Sequence, residues 1–387
     1  MKNTALSLGL LLAVAIAGTT RSQEIGDSTA DARQPAAETP AAETVVVADA
    51  EVVVVAVAPT QAAASVDIEA THDPATHEPV DDANYMLLGE YVGELETSPG
   101  VGEVFAFQIR PMGADRFEAR QYRGGLPGQE GATGQSQPLI GQRAGDMLVL
   151  SGATWAIFVQ HDVCRVVDHQ GKLLGELPRV VRSSPTLGAQ PPAGALVLFD
   201  GSNTDQFNGG AMTKDGWLLP GAEIKPMFQD FNMHLEFRLP YMPEQTGQDR
   251  GNSGCYLLSR YEVQILDSFS EAPTFNGCSS LYRQRPPALN MCFPALEWQT
   301  YDIAFSAPRW SADGSKLRHA RITVWHNGVK TQDDVEIENK TGAGKPEEPS
   351  LLPIRLQDHR APVRFRNMWV IDRGLVPVPT FPVPSPQ

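Results

Sequence analysis

Polar side chains that could carry out acid–base chemistry alternate with apolar ones between Gly251 and Asp267. Successive side chains of a β-strand point to opposite faces, so Asn252 and Tyr256 share one face, while Glu262 and Gln264 share a face of the next run. The opposite faces carry residues that suit a sheet interior. A carboxylate, two amides and a phenol on one face of a twisted sheet can hold a ligand rich in hydroxyl groups. The segment therefore predicts a carbohydrate cleft.

The same alternation adds polar residues from two later segments. In Arg355 to His359, the residues Arg355, Gln357 and His359 share one face. In the run that ends at Trp369, Arg366 lies on the polar face. We expect Gln357, His359 and Arg366 to line the groove with Glu262, because burial of so many polar groups without a ligand would be costly.

The chain resembles the 3-keto-disaccharide hydrolase domain family over roughly residues 196–372. The resemblance rests on several ordered blocks, which are G-N-S-G-C-Y from Gly251, R-Y-E-V-Q-I-L-D-S from Arg260, W-Q-T-Y-D-I-A-F from Trp298, V-W-H-N-G-V from Val324, R-L-Q-D-H from Arg355 and P-V-R-F-R-N-M-W from Pro362. It implies a concanavalin A-like jelly-roll sandwich with the ligand on the concave sheet. The implied activity is cleavage of 3-keto-glycosides or 3-keto-disaccharides, so the expected partner is an oligosaccharide or keto-sugar substrate.

The implied reaction needs one base to begin, because a keto group at C3 of a sugar acidifies the hydrogen at C2. Glu262 or His359 would remove this proton and the other would donate one, while Arg366 and Gln264 would stabilise the oxyanion. Loss of the C1 substituent and addition of water would give net hydrolysis. A divalent metal ion held by Glu262, His359 and water could share the oxyanion role. The expected substrate-binding residues are Asn252, Tyr256, Gln264, Tyr282, Gln357 and Arg366.

The loop before Tyr282 departs from the family pattern. It reads Cys278-Ser-Ser-Leu-Tyr282, where the family has a sequence richer in glycine. Serines are bulkier than glycine and could narrow the subsite that Tyr282 borders. The substrate preference of this chain is therefore open.

Three other functions stay open. A noncatalytic carbohydrate-binding module is the main alternative, since one fold can host both binding and catalysis. An ordinary glycosidase needs two carboxyl groups at the scissile bond, and it is disfavoured because Gln264 stands where the E-x-D-x-x-E strand of laminarinase-like enzymes has its central acid. A structural role in cell-surface adhesion is the third.

The four cysteines predict one disulfide. Cys278 and Cys292 bracket a short, Pro-rich loop, and disulfides are common in exported proteins, so we predict that these two pair. Cys164 and Cys255 lie within strand patterns and are expected to be buried and free. No spacing of Cys or His residues resembles a zinc site.

Composition divides the chain into five segments. They are a signal peptide at 1–22, an acidic, Ala/Pro/Val-rich disordered linker at 23–83, a small antiparallel β domain at 84–182, the jelly-roll domain at 194–376 and a Pro-rich tail at 377–387. Short β-rich runs separated by turn signals, among them Asn327-Gly328, predict an all-β fold. No long segment with helical periodicity competes with this interpretation.

The first residues and the charge distribution bear on location and partners. Lys2, the apolar run that follows and the small residues Ala15 to Ala17 are typical of a secretory signal, so we expect a periplasmic, cell-surface or extracellular protein. Most of the formal net charge of −15 lies in the linker, which has 13 acidic residues and one arginine. The mature chain is not basic enough to predict nucleic-acid binding, and we expect no membrane span in it.

Overall fold

The computed structural model describes residues 82–134, 138–152 and 154–374, and the backbone of two strands at 43–48 and 51–56. The predicted signal peptide and Pro-rich tail lie outside the described residues, as does most of the predicted linker. Within that linker, β1 (Glu43–Ala48) pairs antiparallel with β2 (Glu51–Ala56). Both strands are rich in valine, whose β-branched side chain favours extended structure.

The first large sheet is antiparallel and closes on itself. Its strands are β3 (Gly89–Ser98), β4 (Val101–Pro111), β5 (Arg116–Arg123), β6 (Thr133–Gly134), β7 (Leu139–Ala144), β8 (Met147–Ser151), β9 (Ala156–Gln160), β10 (Val163–Val167) and β11 (Leu173–Val180). The strand order is β4-β3-β11-β10-β9-β8-β7-β5-β6, and pairing between β4 and β5 closes the sheet. A 3₁₀ helix, Tyr85–Leu87, precedes it.

Tight curvature of this closed sheet depends on glycine within its strands. A Cβ atom on Gly141 would lie 1.8 Å from the carbonyl oxygen of Val149, and one on Gly175 would lie 2.4 Å from the carbonyl oxygen of Glu94. No side chain fits at such distances, so glycine permits the close approach of backbones. The interior is filled by apolar residues such as Tyr91, which is fully buried.

The second part of the chain is a sandwich of two antiparallel sheets. Its strands are β12 (Leu196–Phe199), β13 (Phe207–Asn208), β14 (Glu223–Ile224), β15 (Asp230–Arg238), β16 (Ser253–Leu257), β17 (Tyr261–Ile265), β18 (Trp298–Ser306), β19 (Arg309–Trp310), β20 (Lys316–Arg318), β21 (Ala320–His326), β22 (Val329–Ile337), β23 (Arg355–Leu356) and β24 (Arg364–Asp372). The six-stranded sheet has the order β12-β24-β15-β18-β21-β22, and the five-stranded sheet has the order β13-β14-β23-β16-β17. β19 and β20 form a separate ribbon, and a second 3₁₀ helix, Gly247–Asp249, precedes β16.

Alternate residues of the two sheets form one apolar core. Leu235 and Phe237 of β15 belong to it, together with Cys255 of β16 and Val263 and Ile265 of β17. In the described part of the chain the regular structure is β-strand with two short 3₁₀ helices, which confirms the prediction of an all-β jelly-roll fold. Of the residues described, none belongs to a helix long and apolar enough to span a membrane.

The closed sheet contacts the segment that follows β17. Nη1 of Arg110 lies 2.8 Å from Oε1 of Glu271, and the hydroxyl of Ser270 donates to the carbonyl of Gln108 at 2.9 Å. Arg250, which is buried, donates from Nη1 to the carbonyl of Pro111 at 3.0 Å. These bonds hold the end of β17 against β4.

Candidate active site

Glu262 lies at the centre of the polar face of the five-stranded sheet. It stands on β17 opposite Tyr256 of β16, and the Tyr256 hydroxyl donates to its Oε2 at 2.7 Å. A Cβ atom on Gly254 would lie 2.4 Å from Oε1 of Glu262. The glutamate can therefore lie across β16 because position 254 has no side chain. Glu262 is 2 % exposed and Tyr256 is 1 % exposed.

The surroundings of Glu262 shift its acidity to the neutral range. Burial raises the pKa of Glu262 to about 7, and the hydrogen bond from Tyr256 and the positive charge of Arg355 act in the opposite direction without cancelling this effect. Burial and the neighbouring carboxylate also raise the pKa of Tyr256. A carboxyl group with a pKa near 7 can both accept and release a proton at neutral pH.

Gln264 and Asn252 continue the polar face, as predicted from alternation. In the amide orientation that best satisfies its hydrogen bonds, Gln264 donates from Nε2 to Oε1 of Glu262 at 3.1 Å and to the carbonyl of Ser253 at 2.9 Å. The side-chain amide of Asn252 lies beside that of Gln264 and donates to the carbonyl of Gln248 at 2.6 Å. Gln264 thus contacts the Glu262 carboxylate directly, whereas Asn252 lies next to the side chain of Gln264.

The strand β23 and the residue that follows it bring two more polar side chains to this face. Arg355 pairs in register with Tyr256, and its guanidinium carbon lies 4.5 Å from the centre of the Tyr256 ring. The backbone N–H of Gln357 donates to the carbonyl of Gly254 at 2.8 Å. Nε of Arg355 and Oε1 of Gln357 are both buried and have no hydrogen-bond partner among the described residues. An unpaired buried polar group costs about 1–3 kcal/mol, so both atoms are suited to bind a ligand.

Two loops cover the Glu262 carboxylate. The backbone N–H of Tyr282 donates to the carbonyl of Glu262 at 3.3 Å, and Oγ1 of Thr341 accepts the backbone N–H of Glu262 at 2.6 Å. A Cβ atom on Gly342 would lie 2.5 Å from the Tyr282 ring and 3.2 Å from Oε2 of Glu262. Sequence reasoning predicted Tyr282 here but missed Thr341 and Gly342. The T-G-A-G run at 341–344 was the available signal, because glycine marks close approach of backbones.

The structure does not bring Arg366 to Glu262, which corrects a prediction. Arg366 lies on β24 of the six-stranded sheet, where its Nε donates to Oε2 of Glu236 at 2.6 Å and its guanidinium covers the ring of Trp298 at 4.0 Å. Alternation identified the face of its own strand correctly but could not identify the sheet that this strand joins.

His359 and a metal ion were also expected at the site. His359 lies beyond β23 and is exposed, so it does not share the buried surroundings of Glu262. Within the described ranges no three His, Cys, Asp or Glu side chains are grouped so that they could hold a metal ion. The predicted site residue that the structure does bring to Glu262 from the neighbouring strand is Tyr256.

The predicted disulfide between Cys278 and Cys292 is not formed. Both are free, buried thiols that hydrogen-bond to each other, and burial raises the pKa of Cys292 well above its usual value. Sγ of Cys278 lies 3.1 Å from the hydroxyl of Tyr301, which in turn donates to the carbonyl of Gln264 at 2.6 Å. Core packing and these bonds hold the loop without a covalent link. Cys164 and Cys255 are buried and free, as predicted.

A second buried carboxylate, Glu236, lies on the outer face of the six-stranded sheet. It accepts hydrogen bonds from the backbone N–H of Gly188 at 2.5 Å, from Nδ2 of Asn367 at 2.8 Å and from Arg366. Nε2 of His234 lies 3.6 Å away, and Nδ1 of His234 lies 2.7 Å from Oδ1 of Asp302. Although burial opposes ionisation, the hydrogen bonds from His234, Asn367 and Arg366 lower the pKa of Glu236 to about 2.

The second part of the chain is similar to a known protein family and to solved structures. Residues 194–371 match the family described as the 3-keto-alpha-glucoside-1,2-lyase-like domain. A solved structure from Parabacteroides distasonis, described as a putative glycosyl hydrolase, is 33 % identical over 53 % of this chain and 96 % of its own, with a TM-score of 0.43. Two further structures from that organism, with the same description, are 16 % and 20 % identical; they cover 50 % and 46 % of this chain and 98 % of their own, with TM-scores of 0.35 and 0.31. No curated protein matches the chain significantly.

The family match defines a carbohydrate-active, hydrolase-like protein. The chain belongs to the 3-keto-alpha-glucoside-1,2-lyase-like family, as the resemblance in its sequence predicted.

Proposed function

We propose that this protein cleaves the glycosidic bond of 3-keto-glycosides, with Glu262 as the base that removes the proton at C2. The observation that carries the proposal is the state of Glu262, a buried carboxyl group with a pKa of about 7 on the polar face of the five-stranded sheet. General bases work best when their pKa lies near the working pH. A carboxyl group that only stabilised the fold would gain from being ionised and fully paired.

The reaction begins when ionised Glu262 takes the C2 proton. The electron pair of the C–H bond forms a C2–C3 double bond and places negative charge on the oxygen at C3. Return of this charge reforms the carbonyl, creates a C1–C2 double bond and breaks the bond from C1 to the leaving oxygen, which receives the proton from Glu262. Water then adds across C1 and C2, so the net reaction is hydrolysis.

Tyr256 and Gln264 orient the carboxylate for this step. The Tyr256 hydroxyl holds Oε2 at 2.7 Å and the Gln264 amide holds Oε1 at 3.1 Å. The bond from Tyr256 favours the charged form, so it limits the rise in the pKa of Glu262 that burial produces. Both donors also fix the carboxylate plane, which reduces the cost of positioning the base against the sugar.

The structure gives less support to a two-carboxylate glycosidase. Asp267, the other acid of this segment, is buried in an ion pair with Nε of Arg250 at 2.6 Å. A carboxylate engaged in this way is not available to act opposite Glu262 across a glycosidic bond.

The experiment compares aryl glucosides with their 3-keto counterparts, using the full mature chain with and without a chelator. We expect release of the aryl group from the keto compounds alone, and deuterium at C2 of the product when the reaction runs in D₂O. Glu262→Gln should lose this release, whereas Glu130→Gln, at an exposed position, should keep it. Equal release from unmodified glucosides would contradict the proposal. Binding of the keto-sugar without release would instead identify a noncatalytic carbohydrate-binding module.

A further inference from the structure

The proposed reaction develops negative charge on the oxygen at C3 of the sugar, and a positively charged donor should meet it. The arginine assigned to this role from the sequence, Arg366, is paired with Glu236 on the other sheet. Arg355 is an arginine on the same face as Glu262, because it pairs in register with Tyr256, which itself pairs with Glu262.

The Arg355 guanidinium lies ready to bind a ligand. One side of it covers the Tyr256 ring, at 4.5 Å from the ring centre, and this stacking fixes its plane. Its Nε is buried without a hydrogen-bond partner among the described residues. Its positive charge also reaches Glu262, whose pKa it lowers in opposition to burial. A fixed, charged donor with an unused N–H therefore stands beside the base.

Gln357 supplies the complementary group. It follows Arg355 by two positions, so both side chains lie on one face, separated by roughly 7 Å along the strand. Its unpaired atom is an acceptor, Oε1, whereas the unpaired atom of Arg355 is a donor. A ligand that satisfies both must offer an acceptor and a hydroxyl donor close together. A 3-keto-sugar offers both, in its carbonyl group and in the hydroxyl groups on the adjacent carbons.

We propose that Arg355 binds the carbonyl oxygen at C3 of the sugar and stabilises the negative charge that forms there, while Gln357 accepts a hydrogen bond from an adjacent hydroxyl group. The proposal rests on the proposed function and names the residues of the same site that distinguish oxidised from unoxidised sugars. The hydrogen bond from Arg355 becomes charge-assisted on both sides once the enediolate forms, so it strengthens as the reaction proceeds.

The test measures kcat and KM on an aryl 3-keto-glucoside across pH for the full chain and four variants. Arg355→Gln should lower kcat by about 100-fold, as loss of one oxyanion donor does elsewhere. Arg355→Lys should recover part of this loss because it keeps the charge. In Arg355→Gln the rise of kcat/KM with pH should also move to higher pH, because Glu262 loses a neighbouring positive charge. Gln357→Ala should raise KM without moving the pH profile, and Arg318→Gln, at an exposed position on β20, should match the wild type.

The outcomes separate this inference from the proposed function. If the wild type releases nothing from any keto-glucoside, the proposed function fails and the role of Arg355 fails with it. If the wild type is active and Arg355→Gln stays within threefold of it with an unchanged pH profile, the role of Arg355 is refuted while the proposed function stands. Should Arg355→Gln not fold, as judged by circular dichroism, Arg355→Lys decides: a kcat for the keto-glucoside and a pH profile of kcat/KM that both equal those of the wild type would overturn the inference.

Discussion

Two glutamates of the sandwich are equally buried and have opposite acidities. Glu262 on the five-stranded sheet has a pKa of about 7, and Glu236 on the six-stranded sheet has a pKa of about 2. Desolvation raises the pKa in both cases, so burial does not explain the difference. The neighbours do. Glu236 is bonded by a histidine, an arginine, an amide and a backbone N–H, whereas the neutral donors at Glu262 are Tyr256 and Gln264.

This difference separates a structural carboxylate from one able to transfer protons. The donors at Glu236 stabilise its ionised form and hold its pKa well below the usual value. Its bond from the N–H of Gly188 also ties the segment before β12 to the six-stranded sheet. Glu262 has one positive charge nearby, that of Arg355, and keeps a pKa close to neutrality. A strongly paired carboxylate stabilises a fold, whereas a weakly paired one can exchange its proton.

The largest expected effect is on turnover in Glu262→Gln. The amide keeps the shape of the side chain but cannot accept the C2 proton, so we expect a loss of at least about 10³-fold in kcat on a 3-keto-glucoside. Glu236→Gln, the matched change on the other sheet, should keep kcat per folded molecule within a few-fold. Equal losses in the two variants would show that the comparison between these carboxylates is wrong.

Stability should respond in the opposite order. Glu236→Gln leaves His234 and Arg366 without their carboxylate, and breaking such a buried pair costs about 3 kcal/mol in the free energy of unfolding. Glu262→Gln removes a carboxyl group that the fold disfavours when ionised, so it should not destabilise the protein at pH 8. Urea unfolding at pH 8 measures both. If Glu236→Gln has the same free energy of unfolding as the wild type, the negative charge of Glu236 does not stabilise the fold through His234 and Arg366.

Tyr256→Phe should alter the pH profile more than the maximum rate. The phenol lowers the pKa of Glu262, so its removal should move the rise of kcat/KM to higher pH. A lost hydrogen bond of about 1 kcal/mol corresponds to roughly fivefold less activity at pH 6. The difference should shrink above pH 8, where Glu262 is ionised in both proteins. A uniform loss at every pH would instead indicate that the hydroxyl contacts the substrate.

The last expected effect is the pH dependence of stability. The pKa of Glu262 is raised from 4.5 to about 7, so its contribution is fully present below pH 4.5 and is lost as pH rises through 7. The pKa of Glu236 is lowered from 4.5 to about 2, so its contribution is present above pH 4.5 and is lost as pH falls through 2. Urea unfolding should therefore show that the free energy of unfolding of Glu262→Gln rises relative to that of the wild type between pH 5 and 8. A constant difference over this range would contradict the raised pKa.

Alternation along a strand predicted the local part of this site. It placed Tyr256, Glu262 and Gln264 on one face because the two-residue period depends only on the strand itself. The hairpin at Asn327-Gly328 was equally local, and both residues have the positive φ that such a turn requires, 51° and 77°. These features follow from a few neighbouring residues.

The rest of the site depends on pairing between distant segments. Arg355 and Arg366 both alternate with apolar neighbours, and nothing local indicates that β23 joins the five-stranded sheet while β24 joins the six-stranded sheet. Thr341 and Gly342 reach Glu262 through a loop whose course follows from packing. The ionisation of Glu262 and Glu236 likewise depends on partners more than 70 positions away along the chain, such as Arg355 and Arg366.

The bond between Arg250 and Pro111 has a consequence for how the chain can be divided. Arg250 is buried between Asp267 and the last residue of β4. In the segment before β12, the backbone N–H of Gly188 donates to Glu236. A fragment that began at residue 194, where the family match starts, would lose both attachments and expose a guanidinium group that the whole protein keeps from water. The segment that matches the family is therefore not self-sufficient here, because the closed sheet braces the end of β17, the strand that carries Glu262.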